Sequence, residues 1–159
     1  MIKPLSLGLI NLDMAKSLLF FKAWFIASII AFVLASLMHT QIVLIGLVNI
    51  EVNIGVGSWV STSIQDIWGL LPTYAPVIAL ALLIAMLVVV VFVRFITLPR
   101  LLAFIGGATA MLTVLLSMQP IMHVTLIAGA REPIGVALQC LSGAIGGLVF
   151  AKIYYSNED

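Results

Sequence analysis

Charged residues are scarce in this chain. Only 8% of its 159 residues are Asp, Glu, Lys or Arg, whereas soluble domains usually carry about 25%. A soluble fold of this length would lack the polar surface that it needs, so the 64% of residues that are hydrophobic require an apolar environment. The formal net charge of +1 argues against a nucleic-acid partner, because phosphate binding requires a basic patch.

Cysteine is also scarce, and acidic residues are missing from the apolar regions. Cys140 is the single cysteine, which excludes an intramolecular disulfide and an oxidoreductase that uses its own cysteine pair. Its role stays open, since a lone cysteine commonly acts as a small apolar residue. No Asp or Glu occurs in the four long apolar runs. This absence argues against an ion-coupled transporter and leaves hydrolysis without a general base. No cofactor is predicted.

Four apolar runs are long enough to cross a bilayer, which takes about 20 helical residues. They cover about residues 18–37, 72–96, 101–122 and 133–152, and the first can also be placed further out, towards residue 47. Because a segment in lipid must satisfy its backbone hydrogen bonds internally, each run is predicted to be a helix. The sequence predicts one all-α domain, an integral membrane four-helix bundle with antiparallel neighbours.

The basic residues indicate how the chain is oriented. Six of the seven fall on one side of the four spans, and these are Lys3, Lys16, Lys22, Arg94, Arg100 and Lys152. The long link between the first two spans, about residues 38–71, contains no Lys or Arg. Since basic residues are enriched in cytoplasmic segments, both termini are predicted to be cytoplasmic and this link external. In a bacterium, the membrane would be the inner membrane.

Two segments beside the first span have patterns of their own. Residues 4–17 mix apolar and polar side chains, which predicts either a short helix on the inner surface or an extension of the first span. A cleaved secretory signal is a further reading of this region, but the long segment before the apolar run argues against it. Residues 48–54 alternate apolar and polar side chains, typical of an extended strand, and Gly55 and Gly57 end that pattern.

The remainder of the outer link has a helical period. Residues 58–70 place Trp59 and Trp68 among apolar residues at helical spacing. This pattern predicts an outer amphipathic interfacial helix with its tryptophans at headgroup depth. Pro72 and Pro76 are predicted to lie in the first turn of the span that follows.

Small residues recur at four-residue spacing in the predicted spans, and such faces let helix backbones approach closely in lipid. The strongest pattern is Gly143 with Gly147 in the fourth span, and others include Gly107 in the third and Ala27 with Ala31 in the first. In one interpretation these faces pack inside a monomeric bundle. In the sharper interpretation the Gly143/Gly147 face binds another membrane protein or a second copy of this chain.

Few polar residues fall inside the spans. Thr109, Thr113 and Ser117 are four residues apart and form a stripe on one face of the third span, and Gln139 lies two turns into the fourth. The hydroxyls can bond back to carbonyls of their own helix. Alternatively, the stripe faces Gln139 and lines a polar seam between the third and fourth spans.

A few charged and titratable residues lie at the outer ends of the spans. Arg131 is predicted to pair with Glu132 or Asp66 and clamp the outer helix over the bundle, or to bind an anionic headgroup or substrate. His39 and His123 are the only histidines and could ligate a haem or a metal. A zinc site normally needs three or four protein ligands, so two histidines without a ligand role are the simpler interpretation.

Three functions are compatible with these patterns. The first is a non-enzymatic accessory, assembly or scaffold component, or a homo-oligomer, that acts through helix–helix contacts in the lipid bilayer. The second is a small transporter or channel for a neutral or lipid-like solute, and the third is a haem or metal protein. The small-residue faces and the lack of intramembrane acids favour the first.

Overall fold

The computed structural model describes residues 5–49, 55–122 and 133–156, and within them it contains four α-helices and no strand. The helices are α1 (Leu5–Asn49), α2 (Val56–Phe92), α3 (Pro99–Met122) and α4 (Pro133–Tyr154). All four are long and apolar enough to cross a membrane. The predicted all-α class is therefore confirmed, and the four apolar helices indicate an integral membrane protein.

The helices pack in chain order around one core: α1 on α2, α2 on α3, α3 on α4, and α4 back on α1. Sequential neighbours are antiparallel, as expected for helices joined by short links. The core is built from one face of each helix, since buried positions recur every three or four residues. In α1 this face is a row of buried alanines, namely Ala23, Ala27, Ala31 and Ala35.

Aromatic residues of α1 contact α4 and α2 at one end of the bundle. The Phe20 ring centroid lies 5.3 Å from that of Phe150 and 5.9 Å from that of Tyr154, both in α4. The indole N–H of Trp24 donates a hydrogen bond of 2.9 Å to the carbonyl of Ala79 in α2. We call this the inner end, after the predicted orientation, and the opposite end the outer end.

α1 is one unbroken helix of 45 residues. At 1.5 Å per residue it is about 67 Å long, more than twice the ~30 Å of a hydrocarbon core. The segment at residues 5–17 is therefore an extension of the first span and not a separate surface helix. At the outer end, α1 includes residues 48 and 49, where a strand was predicted, and residues 50–54 lie outside the described part of the chain.

Residues 58–70 are helical, as predicted, but they form the first part of α2 and not a helix of their own. Pro72 and Pro76 therefore lie inside α2, which corrects their predicted place in a first turn. Proline supplies no N–H, so the carbonyls of Trp68 and Pro72 lose their usual intrahelical donors. Such prolines are tolerated in membrane helices where neighbouring groups satisfy the freed carbonyls.

Candidate functional site

Gln139 in α4 is fully buried, and its amide joins three helices. The Nε2 atom donates a hydrogen bond of 2.9 Å to the carbonyl of Ala35 in α1. The Oε1 atom accepts a hydrogen bond of 3.1 Å from the hydroxyl of Tyr74 in α2. Both amide atoms therefore have partners. A buried polar atom without a partner would cost about 1–3 kcal/mol, and Gln139 does not incur this cost. The sequence had singled out Gln139 but not Tyr74.

The hydroxyl stripe of α3 does not face Gln139, which corrects the predicted seam between the third and fourth spans. Thr109 donates to the carbonyl of Ile105 at 2.9 Å, Thr113 to that of Thr109 at 2.8 Å, and Ser117 to that of Thr113 at 2.7 Å. Thr109 and Thr113 are exposed, whereas Gln139 lies in the bundle centre. The hydroxyls bond within their own helix and lie on the side of α3 that meets α2.

An open groove with a volume of about 930 Å³ lies between α2 and α3. Its α2 wall extends from Leu70 to Val89, and its α3 wall from Gly106 to Ser117. The α2 wall is about 28 Å long at 1.5 Å per residue, close to the ~30 Å thickness of a hydrocarbon core. Pockets that bind small molecules typically measure about 300–1,000 Å³. The groove is thus large enough for a ligand and nearly spans the bilayer.

The groove is apolar, and small residues keep it open. Ala81 and Ala85 of α2 face Gly106 and Ala110 of α3 along its length, and none of the described residues that line it is charged. At Gly106 the helices meet closely, since an added Cβ would lie 2.8 Å from Cγ2 of Val89. This contact marks the inner end of the groove.

Hydroxyl groups line both walls of the groove. Thr73 and Tyr74 supply them from α2, and the stripe of Thr109, Thr113 and Ser117 supplies them from α3. Because the two helices are antiparallel, the early part of the α2 wall and the late part of the α3 wall share one end. Thr73 and Tyr74 therefore lie in the outer half, whereas the hydroxyls of α3 begin at Thr109, within one turn of Gly106 at the inner end.

The strongest small-residue face lies between α3 and α4 of the same chain. A Cβ added to Gly107 would collide with the backbone carbonyl of Gly143, and a Cβ added to Gly147 would collide with the backbone of Ala103. The two backbones are thus in direct contact, which only glycine allows at these positions. The interpretation in which the Gly143/Gly147 face binds another protein is corrected, because α3 already covers it.

The alanine face of α1 is also used inside the bundle. A Cβ added to Gly146 of α4 would lie 2.9 Å from the Cβ of Ala31 and 3.1 Å from the carbonyl oxygen of Ala27. Ala27 and Ala31 are themselves buried. α4 therefore packs against α3 with one glycine face and against α1 with the other.

Asp66 lies at the outer end, where it joins α2 to α1. The hydroxyl of Thr40 lies 2.9 Å from Oδ2 of Asp66 and 3.0 Å from the carbonyl of Ser36. Thr40 is fully buried, so Asp66 approaches the bundle interior here. Arg131 and Glu132 lie outside the described residues, and the predicted clamp through Arg131 stays a prediction.

The predicted histidine site is only partly covered by the structure. His39 is half-buried in the outer part of α1, and His123 lies outside the described residues. No group of three His, Cys, Asp or Glu side chains that could hold a metal occurs in the described part of the chain. A haem or metal held by the two histidines therefore stays a prediction. Cys140, beside Gln139, is a partly buried free thiol.

Among the predicted site residues, the hydroxyl stripe of α3 lies in the groove opposite the wall of α2. The glycine faces and Gln139 lie inside the bundle. The α2–α3 groove is a large feature that the packing of the described residues leaves open. Comparison of the chain with protein-family models, with curated proteins and with solved structures finds no match.

Proposed function

We propose that this chain is an integral membrane protein that binds a lipid-like molecule in the groove between α2 and α3. The groove itself is the observation on which this proposal rests. It has a volume of about 930 Å³, its described lining is uncharged, and it opens on the side of the bundle where lipid would surround the protein. An apolar ligand could enter such a groove sideways from the bilayer without crossing the bundle.

The hydrogen bonding of the groove favours an apolar ligand over a polar solute. Thr109, Thr113 and Ser117 already donate their hydroxyl protons to carbonyls of α3. They offer only acceptor lone pairs to a ligand. A solute with many polar groups would lose water without gaining matching partners, which is costly in an apolar site. A ligand with a long apolar part has few polar groups to desolvate, so this cost does not apply to it.

An accessory or assembly role through helix contacts has less support. It was favoured by the small-residue faces, but Gly143, Gly147, Ala27 and Ala31 contact other helices of the same chain. A partner helix would have to use another surface, such as the α2–α3 groove or the exposed apolar residues of α1. Transport of the ligand, as opposed to binding, has no separate observation in its support.

We propose a bacterial inner membrane as the location, with both termini in the cytoplasm. The distribution of Lys and Arg supports this orientation, because the link between α1 and α2 has none whereas the link between α2 and α3 carries Arg94. The groove would then extend from the inner leaflet, at Val89, to the outer leaflet, at Leu70.

Filling the groove tests the proposal. Thr113 is exposed and lines the groove, whereas Leu116 is exposed on the same helix and does not line it. Thr113→Phe is expected to displace co-purified lipid, measured by native mass spectrometry in detergent, because the ring occupies the site. Leu116→Phe adds a ring of the same size outside the groove and should leave bound lipid unchanged.

Equal lipid retention by both variants would overturn the proposal. So would a photocrosslinker at position 113 that captures a second polypeptide in native membranes instead of lipid. That result would favour the accessory role.

A further inference from the structure

The inner end of the groove lies beside the basic link of the chain. Val88 and Val89 line the groove near the end of α2, and Arg94 follows five residues after Val89 in the link to α3. Arg100 lies in the first turn of α3, two turns before Gly106. Both arginine side chains are exposed. An uncharged groove therefore ends next to two exposed positive charges.

Beside these arginines, the α2 wall of the groove is entirely apolar. From Leu80 to Val89 the α2 wall carries only apolar side chains, and Gly106, Thr109 and Ala110 face it from α3. The hydroxyl of Thr109 donates to the carbonyl of Ile105 in its own helix. These residues of α2 rise about 14 Å, which is half of a ~30 Å hydrocarbon core. This length matches the acyl chains of a single leaflet. The hydroxyls of the α2 wall, Thr73 and Tyr74, lie beyond it, towards the outer end.

We infer that the ligand is an anionic phospholipid of the inner leaflet. One acyl chain occupies the inner half of the groove, and the phosphate lies at Arg94 and Arg100. This inference rests on the proposed function and adds the class of headgroup. Guanidinium groups pair with phosphate oxygens through two parallel N–H donors, so arginine suits this contact better than lysine.

Charge complementarity is the reason for committing to an anionic lipid. A neutral phospholipid would fill the groove equally well, but it carries no net charge to match the arginines. Arg94 and Arg100 do not line the groove themselves, but they lie on the link and the first helical turn that join its two walls. The other described basic residues on the same side lie on helices that do not line it, Lys16 and Lys22 on α1 and Lys152 on α4. They supply the general attraction of a basic membrane face and serve as controls.

Competition between two lipids with identical acyl chains tests the inference. The full-length protein is purified in detergent and incubated with phosphatidylglycerol and phosphatidylcholine, and bound lipid is read by native mass spectrometry. The wild type should prefer phosphatidylglycerol, by about fivefold for each arginine that contacts the headgroup. Arg94→Gln with Arg100→Gln should abolish the preference while both lipids still bind. Lys152→Gln removes one charge from the same membrane face and should keep the preference.

The outcomes separate this inference from the proposed function. Equal binding of the two lipids by the wild type, or a preference that survives loss of both arginines, would overturn the anionic-lipid inference. Thr113→Phe would still reduce both lipids in that case, and the groove proposal would stand. If Thr113→Phe changed the binding of neither lipid, the groove proposal would fail and the inference with it.

Discussion

Gln139 and the hydroxyls of α3 are hydrogen-bonded in two different ways, whereas the buried hydroxyls of Ser28 and Ser36 have no hydrogen-bond partner among the described residues. Gln139 bonds to Tyr74 and to the backbone of Ala35, and the hydroxyls of α3 bond to their own helix. The consequences of removing them should therefore differ. A hydroxyl that bonds within its helix holds no neighbour in place, whereas Gln139 holds α4 against both α1 and α2.

A double-mutant cycle tests the link between Tyr74 and Gln139. Tyr74→Phe removes the donor and Gln139→Leu removes the acceptor, and each single change should destabilise the protein because the partner stays buried and unpaired. The double variant should lose less than the sum, with a coupling of about 0.5–1 kcal/mol in the free energy of unfolding. Unfolding in mixed micelles, followed by circular dichroism, provides the measurement.

Thr113→Val is the control for this cycle, since its hydroxyl is exposed and bonds only within α3. It should change the free energy of unfolding by less than about 0.5 kcal/mol. Strict additivity of Tyr74→Phe and Gln139→Leu would show that the hydrogen bond between them contributes nothing to stability.

The sequence could identify Gln139 as a residue that needs partners, but not which partners it has. One partner is a backbone carbonyl, which every residue carries, and the other is an aromatic hydroxyl within an apolar run. The stripe of Thr109, Thr113 and Ser117 follows from their four-residue spacing alone, which defines one face of a helix. Its direction depends on how α3 is rotated in the bundle, and a single helix does not encode that rotation.

The contact between α3 and α4 is set by glycines, which have no side chain. Their contact depends on the missing side chains of Gly107, Gly143 and Gly147, which place backbone against backbone. The spacing predicted a close approach but not its partner, since the same glycine face suits a neighbour in the same chain or in another.

The prolines of α2 were also ambiguous in the sequence. Pro72 and Pro76 predicted the start of a helix because proline favours first turns, whereas α2 continues through both.

Adding one methyl group at two glycines tests the α3–α4 contact. Gly107→Ala should lower the free energy of unfolding by about 1–3 kcal/mol, because its Cβ would collide with the backbone of Gly143 and the helices must separate. Gly69→Ala in α2 is the matched control, since nothing lies within 4 Å of its Cβ. That change should be neutral or stabilise by about 0.4–1 kcal/mol, as expected for alanine in a helix. Equal effects of the two substitutions would contradict the packing.

At the scale of the whole molecule, composition determines most of the fold. The four apolar runs match the four helices of the described chain, and two of them, 101–122 and 133–152, lie within two residues of both ends of α3 and α4. The groove could not be predicted, because it arises where α2 and α3 fail to close against each other. The width of this gap depends on the tilt between the two helices. Small residues such as Ala81 and Gly106 occur both in tight helix contacts and beside open grooves, so their presence in the sequence does not distinguish the two.

The orientation of the molecule decides which leaflet the inner end of the groove faces, and three exposed positions report it. Ser58 lies at the start of α2, Thr97 in the link to α3, and Ser156 after α4. Each is replaced in turn by cysteine in a Cys140→Ala background, and intact cells are treated with a membrane-impermeant maleimide. We expect labelling of Ser58→Cys alone, since the basic residues favour a cytoplasmic location for the other two positions.

Permeabilised cells should label all three variants, which shows that each position is reactive. Labelling of Ser58→Cys and Ser156→Cys together in intact cells would mean that these positions share a compartment, which four crossings do not allow. Labelling of Thr97→Cys and Ser156→Cys without Ser58→Cys would instead invert the molecule. Arg94 and Arg100 would then meet the outer leaflet, so the groove would remain but its lipid would come from the opposite side of the membrane.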